Sequence, residues 1–305
     1  MTWANSEWFP ILLGLAGLLV LILLGYVGYR RLGRRREPPP RSLVEQPPSE
    51  RPEPAPLAEL LAQPVRFPIV LVHGWLGFDT VALAGLRQSY FRGVRERLEA
   101  HGHTVHVVRV APLSSIKRRA GQLAAQLDQL ALEKANLVAH SMGGLDARYA
   151  IAHLGVASKV ASLTTVGTPH RGTPLAEARW QVSNIALWRR VTGLLGADLN
   201  GLYDIGTRRM AEFNREVPDH PDVRYFSYVA VVSKSQVHRL LGPSHAYLQR
   251  LAGDNDGLVP ADSQRWGECL GNVDADHWAQ IGWFGAFDAP AFYADMARLL
   301  ADRGF

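Results

Sequence analysis

A serine follows an apolar run in the segment NLVAHSMGGLDARYA, residues 136–150. The hydroxyl of Ser141 is a poor nucleophile at neutral pH, so nucleophilic catalysis there would need a base, an acid that orients the base, and donors for an oxyanion. Ala139 and Gly143, two residues before and after the serine, are small enough for a sharp turn between strand and helix. The pattern A-H-S-M-G departs from the usual G-x-S-x-G and is weak evidence alone, because Ser and Gly commonly separate strands from helices.

The order of the chain restricts the partners of this serine. A nucleophile on such a turn is expected to be followed by the acid and then by a histidine. Beyond the apolar segment VRYFSYVAVV the first carboxylates are Asp254 and Asp256, and of the 11 histidines only His277 follows them. We therefore predict Ser141 as nucleophile, His277 as base and Asp256 as acid, with Asp254 as the alternative acid.

Two backbone N–H groups are predicted to bind the oxyanion. One belongs to Met142, which follows the nucleophile, and the other to Trp75 in the VHGWLG loop after the first predicted strand. The same loop could equally be a turn that merely ends a strand. We interpret His140 as a packing residue that points away along an alternating strand, and His170 as part of the loop architecture.

Apolar runs typical of buried parallel strands alternate along the chain with segments of helical periodicity. Strands are predicted at 67–74, 103–110, 135–141, 160–169 and 223–232, and helices at 90–102, 114–132 and 142–155. The alternation predicts an α/β fold with a mostly parallel sheet, helices on both faces, and chemistry at the carboxyl ends of the strands. It breaks at about residues 175–215, where we predict a lid-like helical insertion, although an apolar stripe at helical spacing is more often core.

The N-terminal 36 residues predict a membrane anchor. The 22 residues between Glu7 and Arg30 carry no charge and are long enough for one transmembrane helix, and five arginines follow directly. By the positive-inside bias we expect a single-pass protein of the bacterial inner membrane with its catalytic domain in the cytoplasm. Residues 37–64 are rich in proline and predict a linker, and residues 65–305 predict one α/β domain.

Composition excludes several other classes. The formal net charge is +5, but part of that excess lies in the N-terminal segment, so no nucleic-acid partner is predicted. The single cysteine, Cys269, cannot form an internal disulfide and has no motif around it. No cofactor is predicted, and the oligomeric state is not determined by these patterns.

Six segments together resemble bacterial triacylglycerol lipases and esterases of the α/β-hydrolase fold: PIVLVHGWLGFD, AHSMGG, TTVGTPHRGTPLA, LYDIGTRRMAEFN, GDNDGLVP and DHWAQIG. The resemblance covers about residues 67–283. It implies the same nucleophile, acid, base and oxyanion donors as those named above, and a lid in the insertion. Many secreted members of the family bind a structural Ca²⁺ partly through an Asp two residues after the catalytic His; Ala279 stands there, so we predict no calcium site.

These features lead to one expected function and two alternatives. The expected function is that of a membrane-anchored serine carboxylester hydrolase acting on lipid-like acyl esters through an acyl-enzyme. The same machinery would also serve an acyltransferase or a thioesterase. If the domain has no catalytic activity, the chain would instead be a membrane-tethered interaction module.

Overall fold

A computed structural model describes residues 64–75, 80–83, 86–112, 114–178 and 200–305 of the chain. The chain divides into two units, Met1–Gln63 and Pro64–Phe305, and the described residues all belong to the second. The predicted anchor, nearly all of the predicted linker and residues 179–199 of the predicted lid therefore lie outside the described residues. Within the described ranges, no helix has both the length and the apolar character needed to span a membrane.

Six parallel strands form the central sheet, in the order β4-β1-β5-β6-β7-β8, and β2 and β3 form a separate antiparallel pair. The strands are β1 (Ile69–Val72), β2 (Thr80–Leu83), β3 (Leu86–Ser89), β4 (Val105–Val107), β5 (Ala135–His140), β6 (Val160–Val166), β7 (Arg224–Ala230) and β8 (Glu268–Val273). Every residue of the central strands β5 and β6 is buried, as expected for parallel strands covered on both faces.

The described helices surround this sheet. They are α1 (Val94–Ala100), α2 (Ile116–Gln129), α3 (Gly143–His153), α4 (Pro174–Ala178), α5 (Asn200–Asp204), α6 (Thr207–Glu216), α7 (Gly242–Ala252), α8 (Ala261–Gln264) and α9 (Ala289–Asp302), with 3-10 turns at Ala157–Lys159 and Ala279–Ile281.

Alternation along each strand sends side chains into two cores. Ile69 and Leu71 of β1 pack in the core that contains α1 and α9. Val70 and Val72 pack in the core that contains α2 and α3. Successive side chains of a strand point to opposite faces, so this division places helices on both sides of the sheet. The predicted α/β architecture with a mostly parallel sheet is confirmed.

Two groups of strands were not predicted from the sequence. The β2–β3 pair was missed, and so was β8, the strand at one edge of the sheet. β8 has the sequence ECLGNV and most of its residues are exposed or half-buried. An edge strand of this kind carries neither a continuous apolar run nor a clear alternation, which are the signals that identified the interior strands.

Candidate active site

Ser141 lies at the carboxyl end of β5, on the sharp turn that leads into α3. Its φ of 54° is in the left-handed region, which a residue with a side chain adopts only when its surroundings hold it there, at a cost of about 1–3 kcal/mol. The Ser141 N–H donates to the carbonyl of Val166 at 2.9 Å, and its carbonyl accepts from the hydroxyl of Thr168 at 2.7 Å. These bonds hold the strained residue in place.

Close approach of two backbone segments explains the small residues around the serine. A Cβ at Gly143 would lie 2.6 Å from the carbonyl oxygen of Val72, and a Cβ at Gly74 would lie 2.7 Å from the Cβ of Ser141. Contacts this short are not tolerated, so both positions require glycine. Ala139 is fully buried in β5, where its methyl group packs in the core on the α2 and α3 side.

The structure brings together Ser141, His277 and Asp256. The Oγ atom of Ser141 lies 2.9 Å from Nε2 of His277, and Nδ1 of His277 lies 2.8 Å from Oδ2 of Asp256. His277 is 6% exposed and Asp256 is fully buried. A carboxylate accepts hydrogen bonds only, so Nδ1 carries the imidazole proton and Nε2 is left to accept the proton of the serine hydroxyl.

Asp256, rather than Asp254, contacts the histidine. Its Oδ1 accepts from the backbone N–H groups of Leu258 at 2.9 Å and Val259 at 2.7 Å, which fixes the plane of the carboxylate. Asp254 is exposed at the start of the same loop, and its carbonyl accepts from the N–H of Ala261 at 2.8 Å. The loop therefore presents one of the two candidate acids to His277.

The two predicted oxyanion donors lie beside the serine. Met142 follows it directly, and Trp75 follows Gly74, where an added Cβ would lie 2.7 Å from the Cβ of Ser141. Among the described residues, neither the Met142 N–H nor the Trp75 N–H has a hydrogen-bond partner. A developing oxyanion requires backbone N–H groups that are left without a partner in this way.

A buried ion pair, which the sequence analysis missed, supports the loop after β1. The guanidinium of Arg119 donates to Oδ2 of Asp146 at 2.8 Å and to the carbonyl of His73 at 2.7 Å, and both side chains of the pair are fully buried. Burial raises the pKa of Asp146 to about 7, and Arg119 opposes that rise. Arg119 shares the apolar face of α2 with Ile116 and Leu123, and a charged residue on an apolar stripe was the available signal.

The orientation expected for His140 is wrong. Its side chain does point to the opposite face of the sheet from that of Ala139, as expected. The 3-10 turn that follows His277 packs on that same face. The ring centroid of His140 consequently lies 4.6 Å from that of His277, and its Nε2 lies 3.1 Å from Oε1 of Gln280. Burial, with His277 as a second cause, holds the pKa of His140 well below its usual value.

His170 is buried in the loop after β6. Its Nε2 lies 3.1 Å from the hydroxyl of Thr165, its carbonyl accepts from the side-chain amide of Asn214 at 2.8 Å, and its ring stacks on Trp266. These contacts agree with its interpretation as loop architecture. In the part of the chain that the structure describes, no group of three or more His, Cys, Asp or Glu side chains is arranged to hold a metal ion.

The parallel strands follow the order of the α/β-hydrolase fold. The serine lies after β5, and the carboxylate and the histidine lie on later loops, as in that class of protein. The α/β hydrolase fold family matches residues 117–194. Triacylglycerol lipase 2 of Saccharomyces cerevisiae is 35% identical over 210 residues, which are 65% of this chain and 64% of the yeast protein. A triacylglycerol lipase of Pseudomonas fragi is 28% identical over 252 residues, which are 67% of this chain and 84% of that lipase.

Solved structures also show the α/β-hydrolase fold. The mature lipase of Bacillus licheniformis superimposes with a TM-score of 0.62 at 25% identity, over 84% of this chain and 96% of that one. A metagenomic carboxyl esterase, at 23% identity, shares the fold with a TM-score of 0.68 over 86% of this chain and 82% of its own. The chain is similar to lipases and esterases of the α/β-hydrolase fold, as the resemblance indicated, although it spans less than two thirds of the yeast lipase's length.

Proposed function

We propose that this chain is a serine carboxylester hydrolase that cleaves lipid-like acyl esters through a covalent acyl-enzyme. The observation that carries the proposal is the hydrogen-bonded series from Ser141 through His277 to Asp256, with distances of 2.9 Å and 2.8 Å. Similarity to triacylglycerol lipases and carboxyl esterases supports the same class of reaction.

The first half of the reaction forms the acyl-enzyme. Ser141 Oγ attacks the ester carbonyl carbon while Nε2 of His277 takes the hydroxyl proton, and the carboxylate of Asp256 stabilises the resulting imidazolium. The carbonyl oxygen becomes an oxyanion that accepts from the N–H groups of Trp75 and Met142. One such donor contributes about 10²–10³-fold to kcat.

The acyl-enzyme forms when the imidazolium of His277 gives its proton to the alcohol oxygen as the C–O bond breaks, so the alcohol leaves neutral. The second half of the reaction then releases the acid. A water molecule then attacks the acyl carbon, His277 accepts the proton of that water, and the proton returns to Ser141 Oγ as the carboxylic acid departs. Bonds and protons balance over the cycle, and Asp256 remains ionised throughout.

An apolar substrate is supported by the surface beside His277. The next residue, Trp278, packs with the apolar cluster formed by Val232, Val237, Leu241 and Leu258. Phe284 is 50% exposed there and its ring lies 5.7 Å from that of Trp278. An exposed aromatic ring close to the residue that follows the proposed base favours an acyl chain over a sugar or a charged group. A series of nitrophenyl esters of increasing chain length tests this, and a preference for acetyl over every longer chain would contradict it.

Membrane attachment is a second part of the proposal. Residues 1–36 would span the inner membrane of a bacterium once, and residues 37–64 would hold the hydrolase on the cytoplasmic side. The uncharged 22-residue stretch and the five arginines after it support this topology. Protease added to inverted inner-membrane vesicles should remove the hydrolase, whereas protease added to intact spheroplasts should not. The reverse pattern would contradict the orientation.

The activity itself is tested with the full-length chain in detergent and nitrophenyl acyl esters as substrate. Ser141→Ala should lose nearly all turnover, and Ser158→Ala, a change at an exposed serine far from His277 in sequence, should not. Full turnover in a folded Ser141→Ala protein would refute the assignment. Products analysed with and without an alcohol acceptor separate hydrolysis from acyl transfer, and an excess of transfer in dilute alcohol would point to an acyltransferase.

A further inference from the structure

We propose that Tyr90, His140 and Gln280 are positioning residues that form one hydrogen-bonded relay from the oxyanion loop to the carboxylate of Asp256. The inference rests on the proposed function of the site, since it assigns these residues to the support of its acid and of its oxyanion donor. None of the three contacts the ester carbon in the proposed reaction, so each acts through another residue.

The relay is continuous. The N–H of Gly74 donates to the hydroxyl of Tyr90 at 3.1 Å, and that hydroxyl lies 2.7 Å from Nδ1 of His140. On the other side of the ring, Nε2 of His140 lies 3.1 Å from Oε1 of Gln280. The amide nitrogen of Gln280 then donates to Oδ2 of Asp256 at 2.9 Å.

The charge of Asp256 fixes the direction of every bond in the relay. A carboxylate can only accept, so Gln280 must present its NH₂ group to it and its carbonyl oxygen to His140. That carbonyl oxygen also only accepts, so Nε2 of His140 must carry the ring proton. Nδ1 of a neutral His140 is then an acceptor, and the hydroxyl of Tyr90 donates to it while accepting from Gly74.

The surroundings keep the relay dry and neutral. Tyr90 is 8% exposed, His140 is 1% exposed and Gln280 is fully buried. A Cβ at Gly167, which has a φ of 60°, would collide with the amide of Gln280, so this glycine leaves room for the side chain. Because burial holds the pKa of His140 well below its usual value, the ring stays uncharged beside the imidazolium that His277 forms during the reaction.

The relay joins two requirements of the reaction. One end orients the acid that holds His277, and the other end holds Gly74, the neighbour of the proposed donor Trp75. All of its donors point toward one carboxylate, and hydrogen bonds aligned in this way strengthen each other in a buried site. Substrate binding does not use these bonds, so their loss should lower kcat and leave KM nearly unchanged.

Substitutions at both ends of the relay test its kinetic role. Gln280→Met and Tyr90→Phe keep the size of the side chains and remove the polar atoms. We expect Gln280→Met to lower kcat by about 10- to 100-fold, the scale that misplacement of catalytic groups produces. The double variant should lose little more than Gln280→Met alone, because both changes break the same relay.

Asn136 provides a matched control. It is another fully buried amide, and its side chain bonds the carbonyl of Phe67 and the hydroxyl of Ser162, at the opposite end of β5 from Ser141. Asn136→Leu should lower stability to urea while kcat stays near that of the wild type. Equal losses of kcat in Asn136→Leu and Gln280→Met would assign both amides to packing and overturn the positioning role.

The deciding experiment does not depend on activity. Nitrogen-15 NMR of the histidine side chains in the full-length protein should show His140 neutral at pH 7, with the proton on Nε2 and Nδ1 accepting. A proton on Nδ1, or a charged ring, would overturn the relay even in a fully active enzyme. Full turnover in Ser141→Ala would instead refute the proposed function. That measurement does not depend on the tautomer of His140, so the two failures can be told apart.

Discussion

His277 and Asp256 are joined twice. Nδ1 of His277 lies 2.8 Å from the carboxylate of Asp256, and the backbone N–H of His277 donates to the carbonyl of Asp256 at 2.9 Å. The loop after α7 and the loop after β8 therefore hold each other, and the imidazole cannot rotate without breaking its contact with the acid. This double connection gives the histidine one tautomer and one orientation toward the serine.

Replacing the acid should remove most of the activity without unfolding the protein. Asp256→Asn keeps the size of the side chain but can no longer enforce a proton on Nδ1 of His277, so we expect kcat to fall by about 10⁴-fold. Asp254→Asn, at the exposed alternative, should leave kcat unchanged. Nitrophenyl ester hydrolysis measures both variants, and a larger loss in Asp254→Asn would reverse the assignment of the acid.

Gly74→Ala should lower kcat by about 100-fold or more, because the added Cβ would lie 2.7 Å from the Cβ of Ser141 and would displace the backbone of the oxyanion loop. Gly121→Ala is the matched control, since this glycine is exposed on α2 and a Cβ there meets nothing within 4 Å. That change should raise the free energy of unfolding by about 0.5–1 kcal/mol and leave kcat unchanged. Normal turnover in Gly74→Ala would show that the loop tolerates the displacement.

Breaking the buried ion pair should be more damaging than removing it. Arg119→Met leaves Asp146 buried without its partner, and we expect a loss of about 3–5 kcal/mol in the free energy of unfolding measured with urea at pH 8. The double variant Arg119→Met with Asp146→Leu should recover part of that loss, because no unpaired charge remains. A double variant less stable than Arg119→Met would mean that the carboxylate stabilises the fold without the arginine.

Stability should fall in acid partly through His170. Burial, followed by the charges of Arg148 and Arg171, holds the pKa of His170 well below 6.5 in the folded protein. The unfolded chain therefore binds a proton that the folded chain does not as the pH falls below about 6.5, which favours unfolding by up to about 1.4 kcal/mol per pH unit.

Urea unfolding between about pH 6 and pH 5 measures this contribution. His170→Gln should make the dependence of stability on pH shallower by about one proton. An unchanged slope in His170→Gln would mean that the ring takes up its proton in the folded protein.

The sequence was sufficient where the signals are local or follow the order of the chain. The apolar strand, the small residues and the helical pattern around Ser141 are consecutive, so the turn could be predicted. The choice of His277 followed from its place after the acid loop. Such signals also predicted the interior strands, which are buried on both faces. They did not predict β8, because its residues are mostly exposed or half-buried.

Residues that act through contacts distant in sequence could not be predicted. His140 and Gln280 are 140 positions apart. Neither the histidine nor the glutamine lies in a sequence pattern that predicts contact with the other. The direction of His140 was misjudged because strand alternation shows which face a side chain occupies but not what covers that face. Here the segment after His277 covers it. Arg119 was missed for a related reason, since its partners lie on α3 and on the loop after β1.

The assignment of Ser141 as the nucleophile can be tested with a fluorophosphonate that reacts covalently with activated serines. The full-length protein is labelled, digested, and mapped by mass spectrometry, with Ser141→Ala treated in parallel. We predict one phosphonylated peptide, with the adduct on Ser141, and no adduct in the variant. A label on a different serine, or an active wild-type protein that is neither labelled nor inhibited, would show that Ser141 is not the nucleophile.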